Sequence, residues 1–175
     1  MLFLWTGPKH GGKTTAAAKL VQTARQRGFR VAGLLAPSLH RDGLLVGFEA
    51  LDLQSGMRTP LAMRRNEPGD VGQFHFLEEG LKLGRQALSP AATGGADLVI
   101  VDEFGLLELA SGGWRSAVDF LVRAQAVPGL LLVVRRALVE TVRDVYADVP
   151  SRLLDAAAPE SAEEVLRSLR KDDPA

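Results

Sequence analysis

One short segment near the N-terminus constrains this chain more than any other, because its glycines and a Lys-Thr pair have a fixed spacing. Residues 7–14 read GPKHGGKT and match the pattern G-x-x-x-x-G-K-[ST] at every fixed position. Apolar residues 2–6 precede the match and predict a buried strand. A helical pattern follows from Lys13 to about Arg27. Strand, glycine-rich turn and helix start together predict a loop whose backbone N–H groups surround phosphates.

The side chains of this P-loop have separate expected roles. Lys13 is expected to reach the β- and γ-phosphate oxygens of a nucleoside triphosphate, and Thr14 to place its hydroxyl on Mg²⁺. Pro8 holds the position after the first glycine, where partitioning-type ATPases carry an additional lysine, so Lys9 and His10 are expected to be solvated side chains. The loop positions expected to bind the nucleotide, through backbone groups as well as side chains, are Gly7, Pro8, Lys9, His10, Gly11, Gly12, Lys13, Thr14 and Thr15.

A second segment carries the acids that nucleotide hydrolysis requires. Residues 98–101 are apolar and predict a buried strand that ends in Asp102 and Glu103. A rigid strand of this kind holds its terminal aspartate beside the metal, so Asp102 is the second expected metal ligand. Glu103 is expected to polarise the attacking water. Phe104 and Gly105 follow directly and are expected to lie at the nucleotide.

Arg135 follows another apolar run, residues 130–134, and Arg136 comes next. Ligands of open α/β sheets lie beyond the carboxyl ends of the strands. Arg135 could therefore stabilise charge on the γ-phosphate, or it could be a surface charge at a helix start, and the pattern leaves both open. Solvated side chains are expected for Arg41, Arg64, Arg65 and Arg115.

The remaining pattern predicts one three-layer α/β domain over residues 1–175, with a mostly parallel sheet flanked by helices. A β-hairpin insert is expected from residues 44–53 and 57–63, followed by a mobile loop at 64–72. Further strands are expected at 29–35, 73–76 and 152–155, and helices at 78–88, 114–126 and 137–146. A capping box at 161–164 predicts the start of a last helix, which ends near Arg170 before a frayed tail.

Composition excludes several kinds of protein. Lys plus Arg and Asp plus Glu both number 21, which argues against a protein that coats nucleic acid. There is no cysteine, so disulfides, thiolate zinc sites and a cysteine nucleophile are excluded. The three histidines lack metal-ligand spacing. The apolar start is too short for a signal peptide or a membrane span, and a cytoplasmic location is expected.

These motifs resemble a known family of nucleoside-triphosphatases, first typified by thermophile enzymes and with a human cancer-related relative. Residues 101–109, VDEFGLLEL, are similar to the family's I-D-E-I-G-P-M-E-L segment and keep Asp, Glu, Gly and Glu-Leu in register. Residues 7–15, 27–31 and 47–56 resemble its loop, its passage into the second strand and its hairpin. The resemblance implies a RecA-like P-loop fold and Mg²⁺-dependent hydrolysis of ATP, GTP and other triphosphates to diphosphates. It also implies that Glu103 is the catalytic acid-base residue and Asp102 the metal-side carboxylate.

The function predicted from sequence is therefore a nucleoside-triphosphatase in which Lys13, Glu103 and Arg135 act on the phosphates. A nucleotide-switched binding module that acts through a protein partner is one alternative, with residues 64–72 as the switch segment. A small-molecule kinase is another alternative, with Arg64 and Arg65 in its lid.

Overall fold

A computed structural model of the chain describes residues 1–8 and 11–169, and within them nine strands form one sheet. The strands that build its centre are fully buried apolar runs, which is the pattern of a sheet covered on both faces. The strands are β1 (Leu2–Thr6), β2 (Val31–Leu35), β3 (Ser38–Arg41), β4 (Leu44–Asp52), β5 (Arg58–Arg64), β6 (Phe74–Phe76), β7 (Leu98–Asp102), β8 (Gly129–Val133) and β9 (Ser151–Asp155).

Two kinds of pairing meet in this sheet. The order β2-β7-β8-β1-β9 is parallel throughout. β4 then joins the outer edge of β2 antiparallel, through Leu34 opposite Asp52 and Leu35 opposite Leu51, and β5, β6 and β3 extend this antiparallel part. The expected hairpin insert, made of β4 and β5, therefore enlarges the main sheet. β8 lies between β1 and β7 and is parallel to both, so the carboxyl ends of these three strands lie at one edge of the sheet.

Helices cover both faces of the sheet. α1 and α7 pack on one face against Phe3, Trp5 and Ile100, and residues of α2, α5 and α6 pack on the other against Leu4 and Leu132. Within the described residues, no helix has both the length and the apolar character needed to cross a membrane. The helices are α1 (Lys13–Gln26), α2 (Glu78–Ala87), α3 (Pro90–Thr93), α4 (Leu106–Leu109), α5 (Arg115–Arg123), α6 (Val139–Val145) and α7 (Pro159–Leu169), and a 3₁₀ turn at Arg136–Leu138 precedes α6.

The elements differ from the sequence predictions mainly where they are short. β3, α3 and α4 have four residues each and were not predicted, since four residues carry little periodicity. The predicted capping box is wrong. α7 begins at Pro159, a residue favoured in the first turn because it lacks an N–H, and Ser161 lies buried inside the helix. The expected frayed tail and the helix end at Arg170 lie outside the described residues.

Candidate functional site

The loop after β1 presents backbone N–H groups at the start of α1. Gly12 has a left-handed φ of 73°, a conformation that glycine adopts without strain, and it lets the chain turn into the helix. The first four N–H groups of an α-helix have no partner within it, and those of α1 belong to the motif residues. The Lys13 ammonium donates to the Pro8 carbonyl at 3.3 Å, so it is held over the loop. This arrangement can bind a polyanion.

Asp102 ends β7 as a buried carboxyl group. Its side chain accepts a hydrogen bond from the Ala36 N–H at 3.2 Å, and it is 2% exposed. Burial raises the pKa of Asp102 to about 6, while the Ala36 N–H, the Thr14 hydroxyl and the Lys13 ammonium oppose that rise. The structure thus brings Asp102 and Thr14 together, as a shared metal site requires. A buried carboxyl that needs a positive partner fits a cation.

Glu103 and Arg135 form an ion pair at the same edge of the sheet. The Arg135 Nε–H donates to Glu103 Oε1, and the two side chains are 47% and 32% exposed, so both remain accessible to a ligand. Arg136 points elsewhere, because it pairs with Asp155 after β9 at 3.4 Å. Of the two arginines, Arg135 is the one that joins the candidate catalytic acid.

Glu108 is a buried acid to which the sequence pattern assigns no role, although it lies within residues 101–109, the segment that carries the family resemblance. Its carboxylate accepts the Gly105 N–H at 2.9 Å and is 3% exposed. Burial raises the pKa of Glu108 to about 6, although backbone N–H groups of Gly105 and Trp114 favour the charged form. Gly113 leaves room for it, since a Cβ there would lie 2.1 Å from Glu108 Oε1. Glu108 therefore fixes the turn that follows Glu103.

Two expectations about side chains are wrong. Phe104 was expected at the nucleotide, but its ring is fully buried and packs against Tyr146 at 6.0 Å between centroids. Phe104 belongs to the same buried cluster as Val99 and Val101 of β7, so its ring is part of the core. Arg115 was expected in solvent, but it is 18% exposed, pairs with Asp119 at 2.8 Å and lies over the Tyr146 ring.

Most of the other predicted site residues lie at one edge of the sheet. Gly7 is buried behind Lys13, Pro8, Gly11, Gly12 and Thr15 are exposed on the loop, and Gly105 is buried beside Glu103. Lys9 and His10 lie outside the described residues. In the part of the chain that the structure describes, no group of three or more His, Cys, Asp or Glu residues could hold a metal ion. A metal here would take its remaining ligands from phosphate and water, as Mg²⁺ commonly does.

Comparisons with known proteins find related sequences. A family model described as NTPase matches residues 2–153. The nucleoside-triphosphatase THEP1 of Methanosarcina barkeri is 34% identical over 121 residues, which is 68% of this chain and 68% of that protein. The THEP1 of Methanopyrus kandleri is 30% identical over 145 residues, 83% of this chain and 79% of that protein.

Two solved structures share the fold. The solution structure of a human cancer-related nucleoside triphosphatase has a TM-score of 0.69 at 24% identity, and covers 96% of this chain and 94% of its own. The crystal structure of THEP1 from Aquifex aeolicus has a TM-score of 0.70 at 20% identity, with 97% of each chain covered. With the parallel centre of the sheet, these likenesses confirm the fold class expected from the sequence.

Proposed function

This chain belongs to the NTPase family, and from that premise we propose that it hydrolyses nucleoside triphosphates, ATP and GTP among them, to diphosphate and phosphate with Mg²⁺. One observation carries the proposal. The phosphate-binding loop after β1 and the Asp102–Glu103 pair at the end of β7 lie at the same edge of the sheet, with Arg135 after β8 paired to Glu103.

Thr14 and Asp102 are the residues that would hold Mg²⁺. Their hydroxyl and carboxylate oxygens are the donors that this ion prefers. The buried Asp102 carboxyl gains a positive neighbour in this way, which lowers its pKa from about 6. When bound, Mg²⁺ supplies positive charge that neutralises the phosphate oxygens.

The loop and Lys13 bind and orient the triphosphate. Backbone N–H groups at the N-terminus of α1 and the helix dipole favour the polyanion. The Lys13 ammonium, held at the Pro8 carbonyl, exchanges that weak partner for the β- and γ-phosphate oxygens. Binding in this geometry fixes the γ-phosphorus beside the acids that follow β7.

Glu103 orients the water that attacks the γ-phosphorus. Its carboxylate accepts a proton from the water as the new P–O bond forms and the bond to the bridging β,γ-oxygen breaks. The Arg135 guanidinium carries five N–H groups, of which Nε–H donates to Glu103. The others would stabilise the negative charge that develops on the γ-phosphoryl oxygens.

The substitution Glu103→Gln tests the assignment of the water-activating residue. The amide keeps the size of the side chain but is a far weaker base, so turnover of ATP should fall by about 100-fold or more while the dissociation constant for ATP stays similar. Phosphate release and equilibrium binding measure the two quantities. Glu140→Gln is the matched control, because Glu140 is an exposed acid paired with Arg143. Normal hydrolysis in Glu103→Gln would refute the role of Glu103.

A further inference from the structure

A cavity with aromatic walls opens beside the candidate catalytic acid. Its volume is about 110 Å³, and it lies between the hairpin strands and the turn that leads into α4. Phe48 and Phe74 form one wall, with their ring centroids 5.0 Å apart. Leu107 and Trp114 also line the cavity. Such a lining binds apolar groups and offers little to a polyanion.

The polar side of the same cavity is the candidate active site. Thr14, Asp102, Glu103 and Arg135 line it together with the aromatic walls. A molecule inside would therefore have its apolar part against the phenylalanines and its polar end at the Glu103–Arg135 pair. The carboxylate of Glu103 accepts hydrogen bonds, so the polar end that fits is a donor such as a hydroxyl group.

Size and position separate this cavity from a nucleobase site. An apolar protein cavity of about 150 Å³ holds one benzene molecule, so 110 Å³ admits at most one ring or a short branched alkyl group, with its polar end at the open side of the cavity. The base of a bound nucleotide is separated from its γ-phosphate by the ribose and two further phosphates. The cavity touches Thr14, Asp102 and Glu103, which are the residues assigned to the γ-phosphate end.

We propose that this cavity is a second ligand site, which takes an uncharged small molecule with a ring-sized apolar body and a hydroxyl group directed at Glu103. The bound hydroxyl occupies the position of the attacking water, so occupancy slows hydrolysis. The slowing of hydrolysis rests on the proposed function, whereas the binding of the small molecule in the cavity does not.

Phenol and toluene are the probes, because they match in shape and differ in the hydroxyl group. Binding is measured by calorimetry on the full chain without nucleotide, then with a non-hydrolysable ATP analogue and Mg²⁺. We expect saturable binding of both probes in each condition. Glu103→Gln should weaken the binding of phenol about fivefold, because charge-assisted hydrogen bonds are roughly twice as strong as neutral ones. The affinity for toluene should stay unchanged. Phenol should lower ATP turnover without raising KM.

Filling the cavity provides the decisive comparison. Val71 lines the cavity and is half-buried in a loop, so Val71→Trp should abolish binding of both probes. Val46→Trp is the matched control, since Val46 is also half-buried but does not line the cavity. Leu107→Trp is the second filling variant if Val71→Trp unfolds. Three outcomes would each overturn the proposal. They are a wild-type protein that shows no saturable binding of the probes, a filled variant that binds them as well as the wild type, and displacement of the probes by the ATP analogue.

A failure of this site is distinguishable from a failure of the proposed function. Phosphate release from ATP without any probe tests hydrolysis alone. Probe binding without nucleotide tests the cavity alone.

Discussion

The two arginines after β8 show how one position decides a residue's role. Arg135 pairs with Glu103, whereas Arg136 pairs with Asp155. Arg135→Ala should lower kcat by about 100-fold, the usual loss when one donor to a transition-state oxyanion is removed. Arg136→Ala is the control of equal size and charge, and its kcat should remain near that of the wild type. Steady-state kinetics measures both, and equal losses would contradict the assignment of Arg135.

Glu108 links the site to the stability of the fold. Its pKa rises from 4.5 to about 6 in the folded chain, so its contribution to stability is fully present below pH 4.5 and is lost as the pH rises through 6. A shift of this size corresponds to about 2 kcal/mol. Glu108→Gln should remove that part of the decline in unfolding free energy between pH 4.5 and 6.

Denaturant titrations at several pH values measure this effect. A residual decline is expected in Glu108→Gln, because the pKa of Asp102 is also raised to about 6. The exposed Glu140→Gln control should keep the wild-type profile. An unchanged slope in Glu108→Gln would contradict the raised pKa of the buried acid.

At the scale of single residues, the sequence predicts those functional residues that belong to a motif with fixed spacing along the chain. Lys13 and Thr14 begin the helix that follows β1, and Asp102 and Glu103 lie at the end of β7, so the two motifs predict that these residues lie at one edge of the sheet. The role of Glu108 could not be derived in this way, because it depends on a turn that brings its carboxylate back to the Gly105 N–H. The burial of Arg115 likewise depends on Tyr146, 31 positions further along the chain.

Among the elements, α2 shows a conflict between helix propensity and packing. Gly80 lies in this helix, where Ala would be preferred by up to about 1 kcal/mol. A Cβ on Gly80, however, would lie 2.5 Å from the Leu61 Cα and 2.6 Å from the Pro60 carbonyl oxygen of β5. Backbone atoms cannot yield as a flexible side chain can. Gly80→Ala should therefore destabilise the chain by about 2 kcal/mol, a typical cost of overpacking.

Chemical denaturation compares Gly80→Ala with Lys82→Ala, a substitution at an exposed position of the same helix. Lys82→Ala should leave the unfolding free energy nearly unchanged. If Gly80→Ala stabilised the chain, the close approach of α2 to β5 would be wrong. The helix itself was predictable from periodicity, but its distance from the sheet was not, because that distance depends on which backbone it meets.

For the whole molecule, one apolar core joins the hairpin to the parallel strands. Ala50, Leu61 and Ala62 of the hairpin belong to the same buried cluster as Leu4 and Leu132 at the centre of the sheet. Two extended segments around a turn predicted the hairpin, and buried apolar runs predicted the parallel strands. Their joining through β2 and β4 was not predictable, since pairing between distant strands leaves no local pattern. The single domain expected from the sequence stays a prediction, which a single calorimetric unfolding transition would support.

Nucleotide binding should act on this whole unit, because the loop, β7 and β8 that form the site are central to it. At a concentration of 100 times its dissociation constant, ATP with Mg²⁺ should raise the unfolding free energy by about 2.7 kcal/mol. The transition should shift as one, including the fluorescence of Trp114, which lines the cavity and belongs to the same core cluster as the hairpin residues. Lys13→Ala should lose most of this shift at the same nucleotide concentration, whereas Glu103→Gln should keep it. If only part of the transition shifted, the hairpin and the parallel strands would be separate folding units, since mass action stabilises only the unit that binds the ligand.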